Sequence, residues 1–313
     1  MILTKPNDAL NIVYATDSNG IKLCCASMFS IVRRKNKSTK IKFYILGDRL
    51  SSDKEFLKFN TIENVQVKIL YLDASQLIHA KAIPERLGSA SHLRVMIPSL
   101  IAFNALHRVL YIDTDIFGLR DLTDMYWSDL DGYSIGMVKD GSGVVNYNSP
   151  DWPNDKYVHK DWFCNTGWIL MDLDKLRKTK DHLTWLKLIR DNTNKELNDQ
   201  HLINSVCHNS VKLFPPTYQL SYHNLIRYDG SVWSIDTWNK YYNTNYSSIE
   251  EMVKSSYMWH FHENKFILMR DFPKIKFIIN TFINEYEDFN DTGIIRPWNQ
   301  KSDDKLYIDF KKK

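Results

Sequence analysis

Hydrophobic and polar positions along the first 120 residues follow two alternating rhythms. NIVYATD (residues 11–17) is an apolar run that turns polar at its end, which predicts a buried strand. IKLCCASMFSIVRR (21–34) then puts Leu23, Ala26, Ser27, Ser30 and Ile31 at helical spacing, so strand, loop and helix follow one another. The unit repeats. IKFYILGD (41–48) is a short apolar run closed by Gly47 and Asp48, DKEFLKFNTI (53–62) reads as helix, and VQVKILYL (65–72) alternates as a strand. A helix with Leu93, Met96, Ile97 and Leu100 on its apolar side leads into the strand RVLYI (108–112). Strands alternating with helices specify an α/β chain whose central sheet is mostly parallel and covered on both faces.

Beyond residue 119 the rhythm loosens. KDGSGVVNYNSPDWPNDKY (139–157) reads as loop, and WFCNTGWILMDLDKL (162–176) as a strand running into a helix start. No repeat of fixed period and no low-complexity segment occurs. The expected organisation is one catalytic domain over 1–265 and a helical C-terminal extension over 266–313 with a charged tail, KSDDKLYIDFKKK.

Composition narrows the picture. With 43% hydrophobic and 25% charged residues in 313, the chain folds and can bury a large core. A net charge of +4 is too small to announce a nucleic-acid binder. Cys24, Cys25, Cys164 and Cys207 match neither a zinc ligand set nor a secreted disulfide framework, so they read as free thiols in a reducing compartment. The first residues carry no signal-peptide pattern, and no run of about 18 apolar residues occurs, so a cytoplasmic protein is expected. The basic run RRKNKSTK (33–40) fits a solvated helix end. Joined with the final KKK, it could also touch anionic lipid at a membrane's inner face.

Chemistry enters where two apolar strands end. In open α/β sheets, ligands sit in the crevice beyond the carboxyl ends of the strands. NIVYATD and RVLYIDTD both end in aspartate, which brings Asp17, Asp113 and Asp115 toward one cleft, and Gly118 permits a bend after the pair. Two carboxylates in one cleft repel, and a hard divalent ion such as Mn²⁺ or Mg²⁺ between them would satisfy both. A lone D-x-D has a plainer explanation, since aspartate commonly caps a turn.

NIVYATDSNG, SHLRV, RVLYIDTDIF, FCNTGWILMDL and NDQHLIN occur in that order over about residues 11–204. Together they resemble the retaining glycosyltransferases of family 8, a family with bacterial lipopolysaccharide galactosyl- and glucosyltransferases and glycogenin among its members. The resemblance implies a GT-A fold, a nucleotide-sugar donor such as UDP-glucose or UDP-galactose, and Mn²⁺ held by the D-x-D pair. It implies a saccharide, lipid-linked or protein acceptor and no nucleic acid. Carried over residue by residue, Ala15, Asp17 and Asn19 would line the nucleoside pocket, and Arg94 would face the diphosphate or the donor sugar. Asp113 would contact ribose and metal, with Thr114 beside the donor and Asp115 on the metal. Asn165 and Thr166 would flank the donor sugar, Asp199 would hold its hydroxyls, and Gln200 would lie nearest the anomeric carbon. With glutamine in that position, same-face attack is expected over a covalent intermediate.

The resemblance thins near the C-terminus. Family members usually carry His, aromatic, x, Gly, x, x, Lys, Pro, Trp there, and this chain has WHFHENKFIL (259–268). His260 is the expected third metal ligand and Lys265 the diphosphate contact, with His262 as the competing ligand. Glu263 stands at the glycine position and Pro-Trp is missing, while Gly20 replaces an aromatic that often stacks on the base. The altered late motif keeps open a non-catalytic descendant that binds a nucleotide-sugar or glycan. A nucleotidyltransferase would show a glycine- and basic-rich loop after the first strand, which ATDSNGIKL lacks. The aromatic stretch VWSIDTWNKYYNTNY (232–246) suits core and lid better than an acceptor platform, because aromatics make up 13% of the whole chain.

Overall fold

The computed structural model describes residues 8–48, 50–73, 90–141, 162–191, 199–207, 210–221 and 234–261. Three strands, β1 (Leu10–Asp17), β2 (Ile41–Asp48) and β3 (Val65–Leu72), begin and end with the apolar runs. Helix α1 (Ile21–Arg34) links β1 to β2, and α2 (Lys54–Leu57) with a 3₁₀ turn links β2 to β3. After β4 (Arg108–Ile112) come β5 (Ile116–Gly118), α3 (Thr123–Tyr126), β6 (Ile135–Lys139) and β7 (Cys164–Asp172). Helices α4 (Leu173–Thr179), α5 (Asp181–Asp191) and α6 (Asp199–Cys207) precede β8 (Val211–Phe214) and β9 (Leu220–Ser221). The described chain ends with α7 (Ile235–Tyr242), α8 (Ile249–Lys254) and β10 (Met258–His260).

Seven strands form one sheet in the order β3-β2-β1-β4-β7-β6-β8. β1 pairs in parallel with β2 and β4, β2 with β3, and β6 with β8, while β7 runs antiparallel to both β4 and β6. The order reverses at β1 and β4, which makes the gap beyond their carboxyl ends the switch point where such sheets bind ligands. A second, three-stranded sheet, β5-β10-β9, lies at that edge.

Alternation along β1 divides the core. Ile12 and Tyr14 join one cluster with α1, while Val13 and Ala15 join another with Leu93, Trp185 and Ile203. A third cluster packs Trp238 of α7, Val253 of α8 and Trp259 of β10 together. Trp238 is fully buried and stacks on Tyr242 with ring centroids 4.9 Å apart, so this part of the aromatic stretch is core. All four cysteines are buried and free. Among the described residues no helix is long and apolar enough to cross a membrane.

Two expectations change. The segment before β4 is a 3₁₀ helix, Ala90–Ser99, with Pro98 inside it, and not an α-helix. Three residues per turn align Ser91 with Arg94, and the Arg94 Nε donates to the Ser91 carbonyl at 2.7 Å. Gly118 is not the bend. The chain turns at Asp113–Asp115, whereas Gly118 lies in β5, where a Cβ would come within 2.9 Å of Ile31 on α1. Residues 262–313, with His262, Lys265 and the expected C-terminal extension, lie outside the described residues.

Candidate active site

β4 delivers the paired aspartates. Its ladder with β1 matches Val13 to Tyr111, so Asp113 leaves the sheet level with Ala15 and Asp17 stands two residues farther out. The Asp113 N–H donates to the Gly167 carbonyl of β7 at 2.8 Å, and the Ile116 N–H to the Asp113 carbonyl at 3.1 Å, closing a turn around half-buried Thr114. β10 runs antiparallel to β5 with His260 opposite Ile116, and the Phe261 N–H donates to the Asp115 carbonyl at 3.0 Å. The imidazole thus reaches the turn from the other sheet.

Asp113, Asp115 and His260 offer ligand atoms that all lie within 4.8 Å of one another. His260 Nε2 is 3.2 Å from Asp115 Oδ1. Gly167 keeps the space among them open, because a Cβ there would sit 2.6 Å from His260 Cε1 and 2.9 Å from Asp113 Oδ2. Two carboxylates and one imidazole around such an opening fit a divalent ion that takes oxygen and nitrogen together.

Arg94 organises the floor. It is 4% exposed, and its guanidinium contacts Asp113 Oδ1 at 2.9 Å and Asp199 Oδ2 at 3.1 Å. It also donates to the Thr166 carbonyl at 2.6 Å and packs over the Tyr111 ring, 4.6 Å from the centroid. Burial pulls the guanidinium pKa down, but Asp113 and Asp199 outweigh it and the net shift is upward. Burial pushes the Asp113 carboxyl up, Arg94 opposes, and the neighbouring Asp115 charge adds to the rise. Burial lowers His260, but Asp115, with Asp113 and Asp140 adding to it, makes the net shift upward. Tyr111 donates to Asp113 Oδ1 at 2.6 Å.

A second group sits beside the turn. Gln200 takes the Thr166 N–H on Oε1 at 3.2 Å and donates from Nε2 to Asp140 Oδ2 at 2.9 Å. Asn165 donates to that same oxygen at 3.1 Å, and its Oδ1 accepts the Gly167 N–H at 2.8 Å. Thr166 donates its hydroxyl to Asp199 Oδ2 at 3.4 Å. Asn204 fixes α6 against β7: its Oδ1 accepts the Cys164 N–H at 2.7 Å and its amide nitrogen donates to the carbonyls of Cys164 and Gln200.

The structure therefore gathers Arg94, Asp113, Asp115, Asn165, Thr166, Asp199, Gln200 and His260. Asp17 has a local task as well. Its Oδ1 accepts the N–H groups of Asn19 and Gly20 at 2.9 and 3.0 Å, holding the entry to α1, while Asn19 itself is exposed. Ala15 is buried in the core of β1. Asp140, Gly167, Tyr111 and Gln219 were not singled out by the sequence. Asp140 had a usable signal, because IGMVKD ends a strand in aspartate as NIVYATD does.

Negative charge dominates here. Asp113, Asp115, Asp140 and Asp199 face Arg94 and His260, so among these residues carboxylates are in excess. At an effective dielectric of ~20, two like charges about 4 Å apart repel by about 4 kcal/mol, more than a hydrogen bond returns. A bound cation offsets that repulsion.

Comparisons with known proteins point the same way. The sequence profile described as Glycosyl transferase family 8 matches residues 11–265. General stress protein A of Bacillus subtilis (strain 168) is 22% identical over 210 residues, 64% of this chain and 70% of that protein. Lipopolysaccharide 1,2-glucosyltransferase of Escherichia coli (strain K12) is 24% identical over 220 residues, 69% of this chain and 63% of that protein. Among solved structures, the galactosyltransferase LgtC in complex with donor and acceptor sugar analogs superposes with a TM-score of 0.64 at 16% identity, covering 95% of this chain and all of the other (100%). The apo WbbM bifunctional glycosyltransferase gives 0.62 at 16% identity over 88% of this chain, which spans 52% of that longer protein. At such identities the structures establish the shared fold, that of GT-A glycosyltransferases, and the profile match over most of the length establishes descent. The chain belongs to glycosyl transferase family 8.

Proposed function

We propose that this chain is a metal-dependent retaining hexosyltransferase that moves glucose or galactose from a UDP-sugar to a saccharide, lipid-linked or protein acceptor. The observation that carries the reading is the convergence of Asp113, Asp115 and His260 at the β1/β4 switch point, beside Asp199 and Gln200. We assign the catalytic unit to residues 1–265.

When bound, Mn²⁺ or Mg²⁺ neutralises charge that develops on the leaving diphosphate. The protein supplies the rest by position. Arg94 holds Asp113 and Asp199 at fixed separation, so the ligand carboxylate and the sugar-facing carboxylate cannot drift independently. Asp199 lies across the floor to accept hydroxyls of the donor sugar. The Gln200 amide is locked by Thr166 and Asp140, which aims a neutral group at the sugar. Neutral glutamine is a poor nucleophile, and Asp199, paired with a buried guanidinium, is a weakened one. Both features favour attack on the face from which UDP departs, with a phosphate oxygen taking the acceptor's proton.

The test is UDP release from purified protein with Mn²⁺ and a panel of UDP-sugars. Turnover with one sugar, abolished by chelation and in Asp113→Asn/Asp115→Asn, is the expected result. Silence with every UDP-sugar, slow hydrolysis included, would overturn the reading in favour of a non-catalytic binder. A glycosyl adduct trapped on Asp199 or Asp140 would overturn the same-face step alone.

A further inference from the structure

Gln219 is 1% exposed, immediately before β9, and no role in the chemistry above uses it. Its Nε2 lies 2.6 Å from His260 Nδ1 and 2.7 Å from Asn165 Oδ1. The amide's orientation is set by its neighbours. Asn165 must present oxygen to Gln219, since that oxygen already takes the Gly167 N–H while its nitrogen serves Asp140. Among the described residues the Gln219 Oε1, although buried, has no hydrogen-bond partner. A buried amide oxygen without a partner costs about 1–3 kcal/mol, and an apolar side chain of similar size would fill the space without that cost.

The cost has a use at a metal centre. An imidazole that ligates through one nitrogen carries its proton on the other and nearly always donates it to a fixed acceptor, which sets ring orientation and ligand strength. His260 faces Asp115 with Nε2, so Nδ1 is the nitrogen that needs the acceptor. A half-turn of the Gln219 amide brings Oε1 to Nδ1 and gives up the bond to Asn165.

Resting on the metal-site reading, we propose that Gln219 is the positioning residue of that centre, orienting His260 as a ligand. Gln219 is not a ligand itself.

The experiment measures Mn²⁺ binding to the full chain by the EPR signal of free Mn²⁺, without donor or acceptor, alongside the melting temperature of each metal-free protein. Gln219→Met, apolar and of similar length, should weaken Mn²⁺ binding by about 10–100-fold. Gln219→Glu, which restores an acceptor for Nδ1–H, should stay within about tenfold of wild type. If the Met variant fails to fold, Gln219→Asn, which withdraws the amide by one methylene, carries the same expectation of weakened binding. Wild-type Mn²⁺ affinity in the Met or Asn variant, or a Glu variant as weak as Met, overturns the positioning role and leaves the metal site standing. A wild-type protein that binds no Mn²⁺, or binds it equally well as Asp115→Asn, overturns the metal site and this role with it.

Discussion

At the scale of single residues, Arg94 and Gly167 do opposite things for the same centre. Arg94 provides permanent positive charge to Asp113 and Asp199, and losing one partner of a buried ion pair costs about 3–5 kcal/mol. Arg94→Met should therefore lower the urea midpoint markedly in EDTA and much less in Mn²⁺, because a bound cation takes over part of the neutralisation. Equal losses in both buffers would show that Arg94 matters for packing alone. Gly167 contributes by having no side chain. Gly167→Ala pushes a methyl against His260 and Asp113, and the usual cost of overpacking, about 1–3 kcal/mol, predicts roughly tenfold weaker Mn²⁺ binding with the fold retained. Isothermal titration would detect it. Asp113 and Asp115 could be read as a carboxylate pair at the end of an apolar strand, whereas Asp199 and Gln200 were singled out only through the family resemblance that NDQHLIN helps to carry. Gln219 was not legible, because PPTYQLSY contains no pattern that distinguishes a structural glutamine from one facing His260, 41 residues away.

At the scale of elements, the strands β1, β2 and β3 and helix α1 were readable to within a residue of their ends. β1 and β2 are buried along nearly all of their length, while in β3 exposed and less exposed positions intermix as its polar residues require, so pattern and packing agree. The segment Ala90–Ser99 was readable as a helix from Leu93 and Ile97, but its tighter 3₁₀ winding, with Pro98 inside it, was not. β5, β9 and β10 are two or three residues long, and only tertiary contact reveals them. The buried thiols of α1 make a further prediction. Burial, with Glu55 adding and Lys58 opposing, pushes the Cys25 thiol up to about 12 from a usual 9.0, and burial raises Cys24 as well. A thiol whose folded pKa is raised contributes stability that is complete below pH ~9 and is lost as pH climbs toward 12. At pH 10 the loss for Cys25 is about 1.4 kcal/mol. Cys25→Ala should therefore shed less stability than wild type between pH 7.5 and 10, read from urea unfolding. Identical pH slopes would contradict this account.

At the scale of the whole molecule, the candidate centre joins two sheets. Asp113 and Asp115 leave the seven-stranded sheet, while His260 belongs to the three-stranded one, so an ion bound by all three ties the two together. Mn²⁺ at about 100 times its dissociation constant should raise unfolding free energy by about 2.7 kcal/mol, a gain that Asp115→Asn should abolish in a thermal melt. The order in which the chain is made adds a consequence. About 145 residues separate Asp115 from His260, and at roughly 5–20 residues per second a ribosome needs on the order of 10–30 s to bridge them. Throughout that interval the growing polypeptide already carries the acidic pair and already has Arg94, which lies upstream of both. The newborn sheet can therefore close with part of that negative charge offset by Arg94, and the imidazole that completes the ligand set arrives last.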